Sequence, residues 1–231
     1  MIADFTGTQR QIILRYIIDC ASSVLDVGCG DGEKTFYISP YVQWSVGIDP
    51  DENLIKIAMN KYNSHNLEFQ VAQAESLPFS NSSFAVILYN QTLHHVPVEK
   101  QIEALKESRR VLQSKGKLLI TEPIYGSGSA AQVWEPNSEE KERKQSAINA
   151  IESVINTEFS LSLKRKIHIE YHCEGFDDFY EYYVISKSDA DAKWDENKKQ
   201  DIINKLEKCK RSPVGNFIID YSASVWLLIK R

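Results

Sequence analysis

The sequence predicts an α/β fold, in which a doubly wound and mostly parallel sheet carries helices on both faces. Within the first 123 residues, short apolar segments typical of strands alternate five times with segments of helical periodicity. The first strand runs directly into a glycine-rich turn, and Phe84 to Tyr89 is apolar throughout, which is typical of a strand buried on both faces. Right-handed crossovers then place the ligand outside the carboxyl ends of the strands.

The elements of the first half follow from hydrophobic spacing and from turn residues. Apolar residues at helical spacing predict a helix beside the ligand pocket, ahead of the glycine-rich turn. Glycine and proline mark several of the boundaries that follow. The predicted order is a helix at residues 9–20, a strand at 24–27, a helix at 33–39, a strand at 44–48, a helix at 51–60, strands at 68–72 and 84–89, a helix at 97–112 and a strand at 116–122.

The second half of the chain departs from this alternation. A flexible entry at residues 125–129 leads into a charged helical stretch at 139–159, which we interpret as an insertion or lid after the fifth strand. A strand at 166–172, helices at 176–185 and 194–209, and a last strand at 221–229 complete a seven-stranded sheet. The chain is therefore expected to be one domain: a helical cap at 1–20, a ligand-binding core at 21–123, the helical insertion at 124–165, and completing strands and helices at 166–231.

Composition narrows the function classes. The chain has 231 residues, 42% of them hydrophobic, which suits one well-filled domain, and its net charge of −5 argues against a nucleic-acid partner. The four cysteines form no C-x-x-C pair, so no metal site is expected. The first residues lack the pattern of a secretory signal, and no apolar run approaches 18 residues. We expect a soluble cytoplasmic protein with no membrane span, a monomer or homodimer.

The glycine-rich turn is the strongest functional motif. Residues 24–32 read VLDVGCGDG, and three glycines at alternate positions let a ligand lie against the main chain where the next helix begins. A dinucleotide fingerprint requires a third glycine where Glu33 stands. Asp49 ends the next strand, about 20 residues further on, as expected for a carboxylate that binds ribose hydroxyls. The pattern permits NAD or S-adenosylmethionine and favours the second, because the third glycine is missing.

Two later motifs stand in the expected order, Ala74 to Phe79 (AESLPF) and Leu93 to Val96 (LHHV). Together with the glycine turn and Asp49, they make this chain resemble class I S-adenosylmethionine-dependent methyltransferases, which have a Rossmann-like sheet. Among these it is most similar to the broad group that includes ubiquinone and menaquinone biosynthesis methyltransferases. The specific resemblance covers roughly residues 19–123.

The resemblance implies a binding site for S-adenosyl-L-methionine along successive strand ends. The glycine turn would hold the methionine portion, Asp26 its amino group directly or through water, and Asp49 the ribose. Gln73 stands where the group commonly has aspartate, and its side-chain oxygen can accept the same hydrogen bond from adenine. The implied cofactor-binding residues are Asp26, Gly28, Cys29, Gly30, Asp49, Pro50, Gln73, Ala74, Asn90 and Gln91.

Structural alternatives accompany these roles. Asp26 is also interpretable as a carboxylate that orients the loop, and Asp49 as a helix N-cap. Asn90 and Gln91 are strand-end residues, so they are also interpretable as partners of local backbone groups.

Methyl transfer depends mainly on holding the nucleophile, the methyl carbon and sulfur in line. A base is required only when the acceptor must lose a proton, and a neutral imidazole suits that step. His94 and His95 follow the fourth strand and are the candidate catalytic residues, with a structural hydrogen bond as the alternative role. A metal role is disfavoured, because adjacent residues on a turn diverge.

Acceptor recognition is expected from elements around the pocket mouth. These are the N-terminal helix with Phe5 and Tyr16, the segment from Glu122 through Trp134, and the insertion helix. An aromatic group favours an apolar or aromatic acceptor, with core packing as its alternative role. Its members are Tyr171, Phe176, Phe179, Tyr180, Tyr182 and Tyr183.

Four functions remain at this point. The favoured one is transfer of a methyl group to a small-molecule acceptor. The others are a protein that binds S-adenosylmethionine or S-adenosylhomocysteine without transfer, as a regulatory or partner subunit, an NAD-dependent oxidoreductase, and a methyltransferase with a macromolecular substrate. Asn90 to Leu93 reads NQTL, so the Asn/Asp-Pro-Pro-Tyr signature of enzymes acting on planar nitrogens is absent from this place.

Overall fold

A nine-stranded mixed sheet forms the centre of the protein in the computed structural model, which describes residues 3–4, 8–17, 23–134, 138–187 and 195–231. Seven of its strands are long and two have only two residues. The strands are β1 (Ala3–Asp4), β2 (Ser23–Val27), β3 (Trp44–Asp49), β4 (Leu67–Val71), β5 (Phe84–Asn90), β6 (Leu112–Pro123), β7 (Phe159–Cys173), β8 (Lys210–Arg211) and β9 (Phe217–Lys230). The predicted α/β class is confirmed.

Helices connect most of these strands. They are α1 (Thr8–Ile17), α2 (Glu33–Ile38), α3 (Glu52–Lys61), α4 (Gln101–Val111), α5 (Ala130–Val133), α6 (Ser138–Val154), α7 (Phe176–Lys187) and α8 (Glu196–Leu206). Short 3₁₀ turns cover Ser39–Tyr41, Leu93–His95 and Val98–Lys100. In the described part of the chain, no helix has the length and apolar character needed to cross a membrane.

The strand order places the candidate site at one edge of the sheet. The order is β1-β7-β9-β6-β5-β2-β3-β4, with β8 paired to β9. Strands β2 to β6 are mutually parallel, so their carboxyl ends meet along one edge, here called the carboxyl edge. Strand β9 is antiparallel to both neighbours, β6 and β7, which brings the end of β7 and the start of β9 to the same edge. The predicted mostly parallel sheet is confirmed.

Side chains alternate between the two faces of the sheet and build a core on each. Val24 and Leu88 belong to a cluster with Ile12 of α1, on one face. Leu25 and Ile87 belong to the other cluster, with residues of α4 and α6. All seven residues of β5 are buried, as its apolar run predicts for a central strand.

The sequence misplaced several boundaries, three of which are explained by strand pairing or a local turn. Strand β7 begins at Phe159, inside the range 124–165 predicted as helical insertion, because residues 160–163 alternate polar and apolar side chains and the backbone from Phe159 onward pairs with β9. Strand β6 begins at Leu112 and takes the end of the predicted 97–112 helix. That helix itself starts only at Gln101, after a 3₁₀ turn. In each case long-range strand pairing or a local turn overrides the helical pattern.

Gly32 offers a test of the glycine turn. It has φ +82°, and a Cβ atom there would lie 2.6 Å from the Phe69 ring and 2.8 Å from Ala58 Cβ. We expect Gly32→Ala to lower the free energy of unfolding by about 3 kcal/mol, from left-handed backbone strain and overpacking together. Urea denaturation measures the change.

Gly215→Ala is the matched control for this substitution. Gly215 has φ +94° with no atom within 4 Å of a built Cβ, so it carries the strain without the clash. We expect a loss of about 1 kcal/mol there. Equal losses for the two variants would contradict the packing argument.

Candidate active site

A cleft of about 1230 Å³ runs along the carboxyl edge. This volume exceeds the roughly 300–1000 Å³ of a typical site for one small molecule, so the cleft has room for two. One half, here called the near half, is lined by the glycine turn and the ends of β3 to β5. The other, here called the far half, is lined by α5, α6, β7 and β9. The predicted residues that line it are Gly28, Cys29, Gly30, Asp49, Pro50, Gln73, Ala74, Asn90, Gln91, His94 and His95.

The turn after β2 is built on left-handed glycines. Gly28 and Cys29 donate their backbone N–H groups to Ile48 O at 2.8 and 2.9 Å, which ties the turn to β3. Gly28 has φ +71°, and a Cβ atom there would lie 2.1 Å from Thr92 Cγ2. Gly30 has φ +56°, and no atom lies within 4 Å of a built Cβ. The main chain at Gly30 therefore borders open space in the cleft.

Asp49 joins the end of β3 to the glycine turn. Its Oδ2 accepts from Gly30 N at 3.0 Å and its Oδ1 from Asp51 N at 2.9 Å. Burial raises the pKa of this carboxyl, and the two backbone N–H groups partly offset the rise. The N-cap of α3 is Asp51, whose side chain accepts from Asn53 N and Leu54 N, so the capping alternative for Asp49 is wrong.

Asp26 lies beneath the turn rather than in the cleft wall. Its side chain is 1% exposed, and its Oδ2 accepts from Thr35 Oγ1 at 2.7 Å. Asp26 is absent from the residues that line the cleft. It therefore links β2 to α2, which favours the interpretation as a carboxylate that orients the loop.

Asn90 carries an unsatisfied polar atom at the cleft. This residue is 9% exposed, and its Oδ1 is buried with no hydrogen-bond partner in the described structure. A buried acceptor without a donor costs free energy, and such atoms often mark the place of a ligand or water. Because Asn90 lines the cleft, a ligand there can donate to this oxygen.

Gln91 connects the two halves of the cleft. It has φ +59° and donates its backbone N–H to Thr121 O at 2.7 Å. Its Oε1 accepts from the Tyr221 hydroxyl at 2.7 Å, and the Tyr171 hydroxyl lies 2.9 Å from that of Tyr221. Because Tyr221 uses its proton on Gln91, Tyr171 donates to Tyr221. The side-chain oxygen of Gln91 thus accepts a hydrogen bond from a residue of β9.

An aromatic wall closes the far half of the cleft. The ring of Trp134 meets Tyr171 and Tyr221 edge-on, with centroids 5.8 and 6.1 Å apart, and lies nearly parallel to Phe179 at 6.4 Å. Phe179, Tyr171 and Tyr221 are buried in one core cluster, and Tyr171, Tyr221 and Trp134 also line the cleft. Phe5 and the side chains of Tyr182 and Tyr183, which the sequence also proposed, lie outside the described residues.

His94 is paired with a buried acid. Its Nδ1 lies 2.5 Å from Glu122 Oε2, and these side chains are 4% and 0% exposed. Glu122 Oε1 accepts from Leu93 N at 2.9 Å, which fixes the carboxylate. An ionised Glu122 requires a proton on Nδ1 and leaves Nε2 as the basic nitrogen of a neutral ring. His95 is exposed, and its ring centroid lies 4.0 Å from that of His94.

Sequence reasoning missed Glu122, Thr92 and Tyr221 as site residues. Glu122 lies near the end of β6. Asp26 and Asp49 were predicted as site residues from the same kind of position, so this position could also have indicated Glu122. The contacts of Thr92 with Gly28 and of Tyr221 with Gln91 join residues 64 and 130 positions apart, so no local pattern could show them. In the described ranges, no three histidine, cysteine or acidic side chains are placed to hold a metal ion.

The buried Asp26 predicts a pH dependence of stability. Burial raises its pKa to about 6 from 3.8, so the folded protein retains this proton to higher pH than the unfolded chain. The contribution to stability is complete below about pH 4 and is lost as the pH rises through about 6. Relative to Asp26→Asn, the free energy of unfolding of the wild type should fall by about 2 to 3 kcal/mol between about pH 4 and pH 7.

Urea denaturation across this pH range measures the difference. Asp177→Asn, at an exposed position of α7, is the surface control. A wild-type minus Asp26→Asn difference that is constant or rises with pH would contradict the assignment.

Comparison with known proteins agrees with the geometry. The family model described as a methyltransferase domain matches residues 25–120. An uncharacterized methyltransferase, YcgJ of Bacillus subtilis, is 34% identical over 102 residues, which cover 43% of this chain and 40% of that protein. A demethylmenaquinone methyltransferase of Lactococcus lactis is 36% identical over 115 residues, 45% of each chain. These matches therefore span less than half the length of either relative.

Solved structures extend the likeness to the whole fold. The crystal structure of YcgJ covers 96% of this chain and 97% of its own, with a TM-score of 0.63 and 21% identity. The [4+2]-cyclase SpnF covers 97% of this chain and 80% of its own, with a TM-score of 0.61 and 15% identity. At these identities the likeness concerns the fold alone. The methyltransferase domain model thus matches residues 25–120, and the chain as a whole shares its fold with these solved structures.

Proposed function

We propose that this protein is an S-adenosylmethionine-dependent methyltransferase that acts on a small-molecule acceptor. The observation that carries the proposal is the donor and acceptor set beside the glycine turn. A strand-end carboxylate, Asp49, is fixed against Gly30, and the buried Asn90 oxygen lacks a donor. The match of residues 25–120 to the methyltransferase domain family supports the same conclusion.

The residues of the near half fit the cofactor. The space beside Gly30, where a Cβ atom would meet nothing, suits the methionine portion. Asp49 would accept from the ribose hydroxyls, and Gln73 and Ala74 border the same half for adenine. The bound cofactor would supply a methyl group activated by a sulfonium. Asp26, buried below the turn, supports the loop and reaches the amino group only through water.

NAD fits this half less well. Glu33 is the first residue of α2 and lines the cleft, where a dinucleotide site needs glycine for close approach. A protein that only binds S-adenosylmethionine needs no second compartment. The volume of the cleft, part of it lined by aromatic residues away from the glycine turn, favours a transferase with its acceptor.

His94 is the proposed base for an acceptor that must lose a proton. Glu122 orients the ring and would stabilise the imidazolium that forms, so His94 Nε2 takes the proton while the cleft walls hold the acceptor in line. His95 is exposed, whereas His94 is buried against Glu122. We therefore propose His94 as the catalytic residue of this pair and His95 as a residue of the cleft rim.

Calorimetry with S-adenosylhomocysteine tests the cofactor assignment. We expect the wild type to bind it and Asp49→Ala to bind about 10- to 100-fold more weakly, because hydrogen bonds to a charged group are lost. Gly30→Ala, which fills the space beside the turn, should weaken binding as well. Glu52→Ala removes an exposed acid of α3 that pairs with Lys56, and should bind as the wild type does.

Two outcomes would overturn the assignment. One is tight binding of NAD with no binding of S-adenosylhomocysteine. The other is unchanged affinity of Asp49→Ala, with folding of every variant verified by circular dichroism.

The role of Glu122 is testable without an acceptor. We expect ¹⁵N NMR of the imidazole rings, recorded at a pH where the His94 ring is neutral, to show its proton on Nδ1. Glu122→Gln removes the carboxylate and should change that tautomer or its pH dependence, whereas His65→Asn, at an exposed position, should leave the His94 signals unchanged. A proton on Nε2 in the wild type, or full turnover by His94→Asn on an identified acceptor, would exclude His94 as base.

A further inference from the structure

The first turns of α6 place a cationic side chain, that of Arg143, at the far half of the cleft. Arg143 stands four residues before Ala147 and eight before Ile151, both of which are buried in the core. On a helix these positions share one face, so Arg143 continues the inward stripe toward the helix start. The residue accordingly lines the cleft, as does Trp134 of the aromatic wall.

Arg143 is poorly paired for a residue in this position. Its Nε is buried and has no hydrogen-bond partner within the described structure. Its nearest acid is Glu139, with Arg143 Nη1 at 3.8 Å from Glu139 Oε1, beyond hydrogen-bond reach, and Glu139 is 75% exposed. Such a solvent-exposed pair contributes little. A buried guanidinium N–H without an acceptor is costly, and the cost is recovered when an anion arrives.

The other charges of this half are engaged or solvated. Lys144 pairs with Glu140 at 2.6 Å, and both side chains are mostly buried. Asp178 accepts from Glu174 N at 3.1 Å, and Glu181 is exposed to solvent at the rim. The two acids of α7 repel an anion that enters near them, so an anionic group is directed toward α6.

On this basis, and resting on the proposed function, we infer that Arg143 binds a carboxylate or comparable oxyanion of the methyl acceptor. The planar apolar part of the same molecule packs on the aromatic wall formed by Trp134, Tyr171 and Tyr221. The substrate class is therefore a small aromatic acid.

Matched probes test this inference. Benzoate, indole-3-carboxylate and 2-naphthoate are compared with their primary amides by saturation-transfer NMR, with and without S-adenosylhomocysteine. We expect the acids to bind at least about tenfold more tightly than the amides, and Arg143→Gln to abolish that preference, because a charge-assisted hydrogen bond is lost. Lys141→Gln makes the same charge change at an exposed position of α6 outside the cleft lining and should retain the preference.

The outcomes separate this inference from the proposed function. Equal affinity for acids and amides, no binding of any acid, or an acid preference that survives in Arg143→Gln would overturn the inference. Binding of S-adenosylhomocysteine together with any of these results leaves the cofactor assignment intact. Acid preference that depends on Arg143, in a protein that does not bind S-adenosylhomocysteine, supports the anion site and overturns the methyltransferase proposal.

Discussion

The connection between the glycine turn and β3 is the constraint on which the site depends. Ile48 O accepts from two consecutive turn N–H groups, and Asp49 Oδ2 accepts from a third, that of Gly30. These bonds hold the turn in a left-handed conformation that side chains other than glycine rarely adopt. The result is a stretch of main chain open to the cleft, next to a carboxylate that is already oriented.

Three strand-end acids stand at this edge in different environments. Asp26 is buried beneath the turn, Asp49 borders the cleft and Glu122 is buried against His94. Burial and the nearby carboxylates Asp26 and Asp49 raise the pKa of Cys29, so its thiol stays protonated and is no nucleophile at neutral pH. Acids at the ends of three parallel strands thus have different partners: a threonine of α2 for Asp26, backbone N–H groups beside the cleft for Asp49, and a histidine ring for Glu122.

Much of the near half could be predicted because it depends on local order. Parallel strands bring their carboxyl ends together, so Asp49, Gln73 and Asn90 were predictable as neighbours from strand positions alone. The far half depends on pairing between strands that are distant from each other in the sequence. The start of β7 and the contact of Tyr221 with Gln91 follow from pairing with β9, which no window of the sequence contains.

Arg143 shows the same limit within a single helix. The first seven residues of α6 are all charged or polar, so the sequence offers no reason to separate Arg143 from its neighbours. Only the buried stripe that begins at Ala147 shows which face turns inward. Once that face is known, the orphaned Nε and the aromatic wall become parts of one compartment. A guanidinium in a compartment with an apolar wall favours an acid over a neutral amide of the same shape, because both can accept its N–H but only the acid also balances its charge.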